Sequence, residues 1–191
     1  MFTALYDRAL KWAAHRNAER YLAGLSMAES VFFPIPPDVM LAPMVLAQRA
    51  RAWRLAALTT VASVLGGLIG YLIGSLALEA IFPLIEQIGY QDKYQAAVEA
   101  FGQYGIWFVI VAGFTPIPFK IITIAGGALA MGLPGFIVGS LIGRGARFFL
   151  VAGIIWSGGE RAADHLRRWV DTIGWTVIAI ATIVALVWWW L

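Results

Sequence analysis

Five charged residues lie inside otherwise apolar stretches of the sequence, and their chemistry is the first clue to function. They are Glu29, Asp38, Lys120, Arg144 and Arg147. A charged side chain costs roughly 2.5–3.5 kcal/mol at the middle of a lipid-facing helix, so a random scatter of such residues over a lipid-facing surface is unfavourable. We therefore expect these five side chains to line an interior pathway.

Asp38 and Lys120 follow two copies of a short motif and carry opposite charges. At an offset of 82 residues, Pro34-Ile35-Pro36 falls on residues 116–118 and Asp38 falls on Lys120. The two residues are candidates for an ion pair, and a gate that separates them would couple movement to proton uptake. Glu29 precedes the first copy and is a candidate for the same gating role. The alternatives are a static pair that joins the two segments and, for Glu29, a position at the membrane interface.

Arg144 and Arg147 are three residues apart and hence on one face of a predicted helix. Guanidinium groups suit phosphate oxygens because two parallel N–H groups bind two oxygens at once. Together with Lys120 they form the predicted phosphate-binding set. The alternative role is structural, because either arginine could donate to backbone carbonyls or neutralise Glu29 or Asp38.

Three apolar runs must position these residues, at 55–78, 133–156 and 172–191. The first has 24 residues without a charge, and at about 1.5 Å per residue it covers a hydrocarbon core of about 30 Å. The third is also free of charges and ends in three tryptophans, which suit a membrane interface. Each run is predicted to cross a membrane.

Two further apolar segments, residues 32–48 and 108–132, each contain a Pro-x-Pro break. Proline removes a backbone donor and disrupts a helix, and irregular backbone at membrane depth needs protein or a polar cavity around it. We expect re-entrant hairpins at about 29–48 and 106–132, with two kinked full spans as the alternative. The residues expected to shape them are Pro34, Pro36, Pro37, Pro116 and Pro118, with Gly126 and Gly127 allowing close helix packing.

The predicted fold is an all-α integral membrane protein with two inverted repeats, each a proline-broken re-entrant hairpin followed by a transmembrane helix. Residues 1–25 are predicted to form an amphipathic helix, which either lies in the headgroup region or packs on the protein. Residues 26–158 are predicted to form the membrane domain, and residues 159–191 an amphipathic linker and a C-terminal transmembrane helix. Glycines at 66–74 fit either internal packing or a homo-oligomer.

Composition and charge distribution agree with a bilayer location. Hydrophobic residues make up 61% of the chain and charged residues 13%, and mean hydropathy is +0.78. Basic residues concentrate near the N-terminus and at 49–54, whereas the 79–99 connector has one lysine beside four acids. We therefore expect a cytoplasmic N-terminus, an external connector and an external C-terminus.

Several functions are not expected. There is no cysteine and only two histidines, so no thiolate or histidine metal site is predicted and no cofactor is expected. The basic residues flank apolar runs, which is a pattern of membrane topology and not of nucleic-acid binding. No nucleophile has an obvious oriented base, so an enzyme is not predicted.

Residues 26–158 resemble the DedA family, also described as SNARE-associated Golgi or VTT-domain proteins, and in particular its short YqaA-like branch. The resemblance rests on Glu29, on Pro-Pro-Asp at 36–38, and on AGFTPIPFKIITIAGGALAMG at 112–132. The wider family often has two arginines in the second motif. Here Phe114 follows Gly113, and Lys120 stands in the place of the second arginine.

The resemblance implies two inverted re-entrant hairpins and movement of lipids across a cell's inner membrane. Bacterial members are associated with recycling of undecaprenyl phosphate, eukaryotic relatives with phospholipid scrambling, and some members with proton-motive force. The leading hypothesis is a flippase or scramblase for a phosphate-bearing lipid, with proton coupling left open. A proton-coupled transporter of a small solute and a non-transporting membrane organiser are the alternatives.

Overall fold

The computed structural model describes residues 17–87, 89, 91–115 and 118–159, and among these residues it contains helices and turns but no strand. The helices are α1 (Ala18–Glu29), α2 (Asp38–Ala47), α3 (Ala52–Gln87), α4 (Gln91–Phe114), α5 (Phe119–Ala128) and α6 (Leu133–Gly159), with a short 3-10 turn at Arg49–Arg51. Two predicted segments lie mostly outside these residues. They are the N-terminal helix predicted at 1–25, of which residues 1–16 are outside, and the linker and C-terminal span predicted at 159–191, of which residues 160–191 are outside.

Three stretches of the described chain are helical, long and apolar enough to cross a membrane: Arg49–Ala80, Tyr94–Phe114 and Leu133–Gly159. The first and third contain the predicted spans at 55–78 and 133–156. The second was not predicted as a span, because α4 begins inside the expected connector and ends in the expected second hairpin. The acids of the connector lower its hydropathy but do not oppose helix formation, so α3 continues to Gln87.

Two helices, α2 and α5, have ten residues each and are therefore about 15 Å long, half the thickness of a hydrocarbon core. Both begin directly after a proline, Pro37 and Pro118. Proline is tolerated at a helix start because the N–H that it lacks has no partner within the helix there. The preceding helices end at Glu29 and Phe114, just before the proline-containing segments.

Contacts around α3 define the direction of its neighbours. On α1, the Ser26 hydroxyl donates to the Thr59 carbonyl at 2.8 Å and the Ser30 hydroxyl lies 2.9 Å from that of Ser63. The contacting positions increase together along both helices, so α1 and α3 run in the same direction. On α6, Arg144 contacts Ser63, whereas the later Gly153 faces the earlier Trp53. Helix α6 therefore runs opposite to α3.

The second half of the chain packs in a related way. Helix α5 runs parallel to α3, because Phe119 lies against Gly67 and Ile124 lies against Gly74. Helix α4 runs parallel to α6, with contacts that advance from Val109 and Gly139 to Ile110 and Gly143. Helices α1, α3 and α5 thus run in one direction, and α4 and α6 run in the opposite direction.

Glycines permit the closest of these helix crossings. A Cβ atom at Gly127 on α5 would overlap the Tyr71 carbonyl on α3, and a Cβ at Gly74 would overlap the Ile124 carbonyl on α5. Gly126 is also buried and faces the Phe136 ring of α6. Small residues at helix interfaces allow backbones to approach closely, which is how α5 reaches the centre of the protein.

Two apolar clusters form the core. One joins α1, α2, the start of α3 and the end of α6, and it includes Met40 and Phe148. The other consists of Val109, Phe119, Met131 and Phe136. The Arg144 guanidinium lies between the two, with ring centroids at 5.0 Å for Phe119 and 4.7 Å for Phe148.

Candidate functional site

A buried ion pair joins the middle of α6 to the end of α1. Arg144, whose side chain is 2% exposed, donates from Nη2 to the Glu29 carboxylate. Its Nε donates to the Ser63 hydroxyl on α3 at 2.6 Å. A charge is stable in such a position only when it is paired and hydrogen-bonded, and here one arginine connects three helices.

Two serines lie beside the Glu29 carboxylate, and the single hydroxyl hydrogen of Ser30 has a closer acceptor in the Ser26 carbonyl, at 3.1 Å, than in that carboxylate. A guanidinium has no acceptor, so Ser63 accepts from Arg144 and its own hydroxyl hydrogen is available to Ser30. The two serine hydroxyls are 2.9 Å apart, and Ser30 Oγ lies 3.5 Å from Glu29 Oε2. Ser63 therefore holds the guanidinium in place beside the carboxylate.

Two aromatic rings enclose the Arg144 guanidinium. Phe148 is four residues further along α6, on the same helix face, and Phe119 is the first residue of α5. The faces of aromatic rings attract cations, an effect of about 0.5–2 kcal/mol that is larger where water is excluded. The rings thus lower the cost of burying the charge.

A second ion pair lies one turn further along α6. Arg147 Nη2 donates to Asp38 Oδ2 at 2.5 Å, and Nη1 donates to the Thr115 carbonyl at 2.8 Å. Asp38, only 3% exposed, is the first residue of α2, where the helix dipole favours a negative charge. Because Thr115 follows the end of α4, Arg147 connects the first proline-broken segment to the second.

One oxygen of this pair has no partner. Within the described part of the chain, Asp38 Oδ1 and the Ser140 hydroxyl are the buried side-chain oxygens without a hydrogen bond. A buried acceptor without a donor costs about 1–3 kcal/mol.

The expected pair between Asp38 and Lys120 is wrong. Asp38 binds Arg147 instead, and Lys120 Nζ donates to the Phe32 carbonyl at 3.4 Å. Among the described residues no carboxylate lies within 4.0 Å of the lysine. Lys120 lies on α5 beside the backbone of the first broken segment, and Arg147 of α6 is the cation that reaches the acid.

Side chains donate hydrogen bonds to backbone carbonyls of the proline-broken segments that lack a partner within a helix. Lys120 donates to the Phe32 carbonyl and Arg147 to the Thr115 carbonyl. The Thr123 hydroxyl lies 2.9 Å from the Lys120 carbonyl of its own helix and 3.2 Å from the Ser30 carbonyl. Irregular backbone at membrane depth needs such partners. The structural role that the sequence left open is present for both arginines: Arg144 neutralises Glu29, and Arg147 neutralises Asp38 and also donates to a backbone carbonyl.

The structure places the other predicted site residues around these pairs. Pro34, Pro36 and Pro37 lie between α1 and α2, and Pro118 precedes α5, whereas Pro116 lies outside the described residues. Within the described ranges no group of three or more histidine, cysteine or acidic residues is placed to hold a metal ion.

Sequence reasoning missed Ser30, Ser63, Thr115, Phe119 and Phe148. Ser63 and its neighbours Thr59 and Thr60 are hydroxyl residues inside a charge-free span, and all three are buried. Hydroxyl residues within an apolar helix were the available signal, because they bond across helices in membranes. Nothing in the sequence singles out the two phenylalanines among eleven.

Three helical stretches of membrane-spanning length and ion pairs enclosed in an apolar interior define a helical membrane protein. The VTT domain matches residues 35–157, and the chain belongs to this family of membrane proteins, the DedA family. An uncharacterized protein of Haemophilus influenzae is 42% identical over 183 residues, which cover 96% of this chain and 95% of the relative. One of Histophilus somni is 43% identical over 187 residues, or 98% of both chains.

A membrane protein of Mycobacterium leprae is 30% identical over 114 residues, which cover 59% of this chain and 47% of the relative. No solved structure matches the chain.

Proposed function

We propose that this protein is a lipid flippase or scramblase that moves a phosphate-bearing lipid, such as a polyprenyl phosphate or a phospholipid, across the inner membrane. One observation carries the proposal: two arginines of α6 are held by carboxylates, one at the end of α1 and one at the start of α2, and the second arginine also contacts the other proline-broken segment. The resemblance to lipid-moving members of the DedA family supports the same substrate class.

Anion exchange at these arginines provides a mechanism. A phosphate resembles a carboxylate in charge and in its ability to accept two parallel N–H bonds. If the headgroup replaces Glu29 on Arg144 or Asp38 on Arg147, the guanidinium is never left unpaired in an apolar environment, which would cost several kcal/mol. The released acid must then bind a proton or reach water.

Lys120 is the residue that an incoming headgroup meets first in this mechanism. It is half-buried at the start of α5, and its hydrogen bond at 3.4 Å is to a neutral carbonyl. An anion that binds Lys120 therefore does not have to displace a carboxylate. From there the headgroup passes to Arg147, which contacts the same broken segments.

The partnerless Asp38 Oδ1 supports proton coupling. Uptake of a proton there removes the negative charge that holds Arg147 and so frees the guanidinium for phosphate. Loss of the proton restores the ion pair and expels the headgroup. Transport would then accelerate when the acid is accessible to a more acidic solution.

The opposite directions of α1 and α4, and of α3 and α6, support the inverted repeat. In this proposal α1, α2 and α3 correspond to α4, α5 and α6, and the ten-residue α2 and α5 are arms of re-entrant hairpins that penetrate half of the membrane. Rocking of one repeat against the other would expose the paired charges to each side in turn. The arginine-rich end at 49–54 is placed in the cytoplasm and the C-terminus outside, following the positive-inside rule.

The test is transbilayer movement of labelled polyprenyl phosphate and phospholipid in proteoliposomes at two pH values. We expect Arg147→Gln and Lys120→Gln to lower the rate at least tenfold. Arg49→Gln removes the same charge from an exposed position and should leave it unchanged. Asp38→Asn cannot take up a proton at this position and should abolish the pH dependence.

Other outcomes distinguish the alternatives. Saturable uptake of a water-soluble compound without lipid movement would identify a solute transporter. Absence of any transport in folded protein, together with an unchanged cellular phenotype in the four variants, would identify an organiser in which the ion pairs only hold the helices together.

A further inference from the structure

A polar cavity of about 520 Å³ lies at the end of the protein where α1 and α3 begin. The side chains that matter for its chemistry are Glu19, Arg20, Gln48, Arg51 and Arg54. Glu19 and Glu29 are ten residues apart on α1, about 15 Å along the helix, so this cavity is separate from the buried ion pairs.

The cavity has an excess of positive charge. Arg54 Nη2 lies 2.9 Å from Glu19 Oε2 and Arg51 Nη1 lies 3.6 Å from Oε1, so one carboxylate serves two guanidinium groups. With Arg20 the described lining carries three positive charges and one negative charge. The side chains of Arg51 and Arg54 are 57% and 69% exposed, which leaves part of each guanidinium free to bind a second anion.

Aromatic residues place this cavity at the depth of lipid headgroups. Trp53, between the two paired arginines in sequence, stacks on Phe149 at 6.0 Å and packs against Trp156 at 6.1 Å between ring centroids. Both tryptophans are 48% exposed. Partly exposed tryptophans are typical of the boundary between headgroups and acyl chains, and the membrane-spanning stretch begins close by at Arg49.

We propose that the cavity binds the phosphate group of an anionic phospholipid from the adjacent leaflet. Arg51 and Arg54 contact the phosphate oxygens in competition with the Glu19 carboxylate, and the Gln48 amide is available to a headgroup hydroxyl. The bound lipid anchors this end of α1 and α3 at the surface, and its binding does not depend on transport.

The test is a titration of detergent-solubilised protein with short-chain phosphatidylglycerol, phosphatidylcholine or inorganic phosphate, followed by tryptophan fluorescence. At 0.15 M ionic strength the Debye length is about 8 Å, so distant charges contribute little. We expect saturable binding of phosphatidylglycerol, weakened roughly tenfold by Arg54→Gln because a charge-assisted hydrogen bond is lost. Glu19→Gln removes the competing anion and should strengthen binding.

Arg49→Gln is the matched control, because Arg49 is an exposed arginine of the same turn that does not line the cavity. Arg49→Gln should change the affinity for phosphatidylglycerol less than about twofold. The tenfold loss expected for Arg54→Gln corresponds to about 1.4 kcal/mol. If Arg54→Gln fails to fold, Arg20→Gln serves instead, since Arg20 has no ion pair among the described residues. Three outcomes would each overturn the proposal. The Arg49 variant and the cavity variants would lose the same affinity for phosphatidylglycerol, phosphatidylglycerol and phosphatidylcholine would bind equally, or inorganic phosphate would bind as tightly as phosphatidylglycerol.

Discussion

The strongest test of the packing is a double-mutant cycle on the pair formed by Glu29 and Arg144. Glu29→Leu leaves a guanidinium that is 98% buried without its carboxylate, and removal of one partner from a buried pair typically costs about 3–5 kcal/mol. Arg144→Met leaves a less deeply buried carboxylate and should cost somewhat less. The double variant replaces both charges by apolar groups and should recover most of the loss.

The expected coupling energy is therefore about 3 kcal/mol, and it is measured from the unfolding free energies of the four proteins in detergent micelles. The control cycle uses Glu19 and Arg54, whose side chains are 29% and 69% exposed and whose coupling should be about 0.2–1 kcal/mol. Two results would refute the conclusion that Arg144 depends on Glu29 for its burial. The losses of unfolding free energy in the two single variants would add up to the loss in the double variant, or the coupling energies of the two cycles would be equal.

Two further substitutions test single contacts. Gly127→Ala should destabilise the protein by about 1–3 kcal/mol, because the new methyl group overlaps the Tyr71 carbonyl, whereas Gly102→Ala, in open space on α4, should be neutral or stabilising in a thermal melt. Ser63→Ala should cost about 1–3 kcal/mol in the same assay, because it leaves a buried guanidinium N–H without an acceptor. Ser157→Ala, at an exposed hydroxyl bonded within its own helix, should cost less than about 0.5 kcal/mol. Similar losses in each variant and its control would contradict these contacts.

The charged residues were predictable as a group because the cost of a charge in lipid is high whatever the tertiary structure. The spacing of Arg144 and Arg147 also predicted one shared face, and both arginines do bind acids of the first broken segment. Which acid pairs with which arginine was not predictable, because the partners are more than 100 residues apart and their contact depends on how α6 crosses α1 and α2.

Other features depend on packing that hydropathy does not describe. Helix α4 was divided between a connector and a hairpin because its first turns are polar, yet it is continuous from Gln91 to Phe114. Ser63 looked like an unremarkable small residue in a span. Its role follows from the closeness of three helices, to which glycines such as Gly66 contribute by contacting the Met27 backbone.

The length of α3 has a consequence for the shape of the protein outside the bilayer. Its 36 residues extend about 54 Å, well beyond a hydrocarbon core of about 30 Å. Phe82 near its end packs edge-on against Tyr94 near the start of α4, with ring centroids 5.7 Å apart, and the Tyr94 hydroxyl donates to the Ala128 carbonyl of α5 at 3.1 Å. These contacts hold the two helix ends to each other and to α5. A bilayer that covers Arg49–Ala80 leaves the last seven residues of α3 outside its hydrocarbon core, as a site for an antibody fragment that would make so small a membrane protein large enough to image.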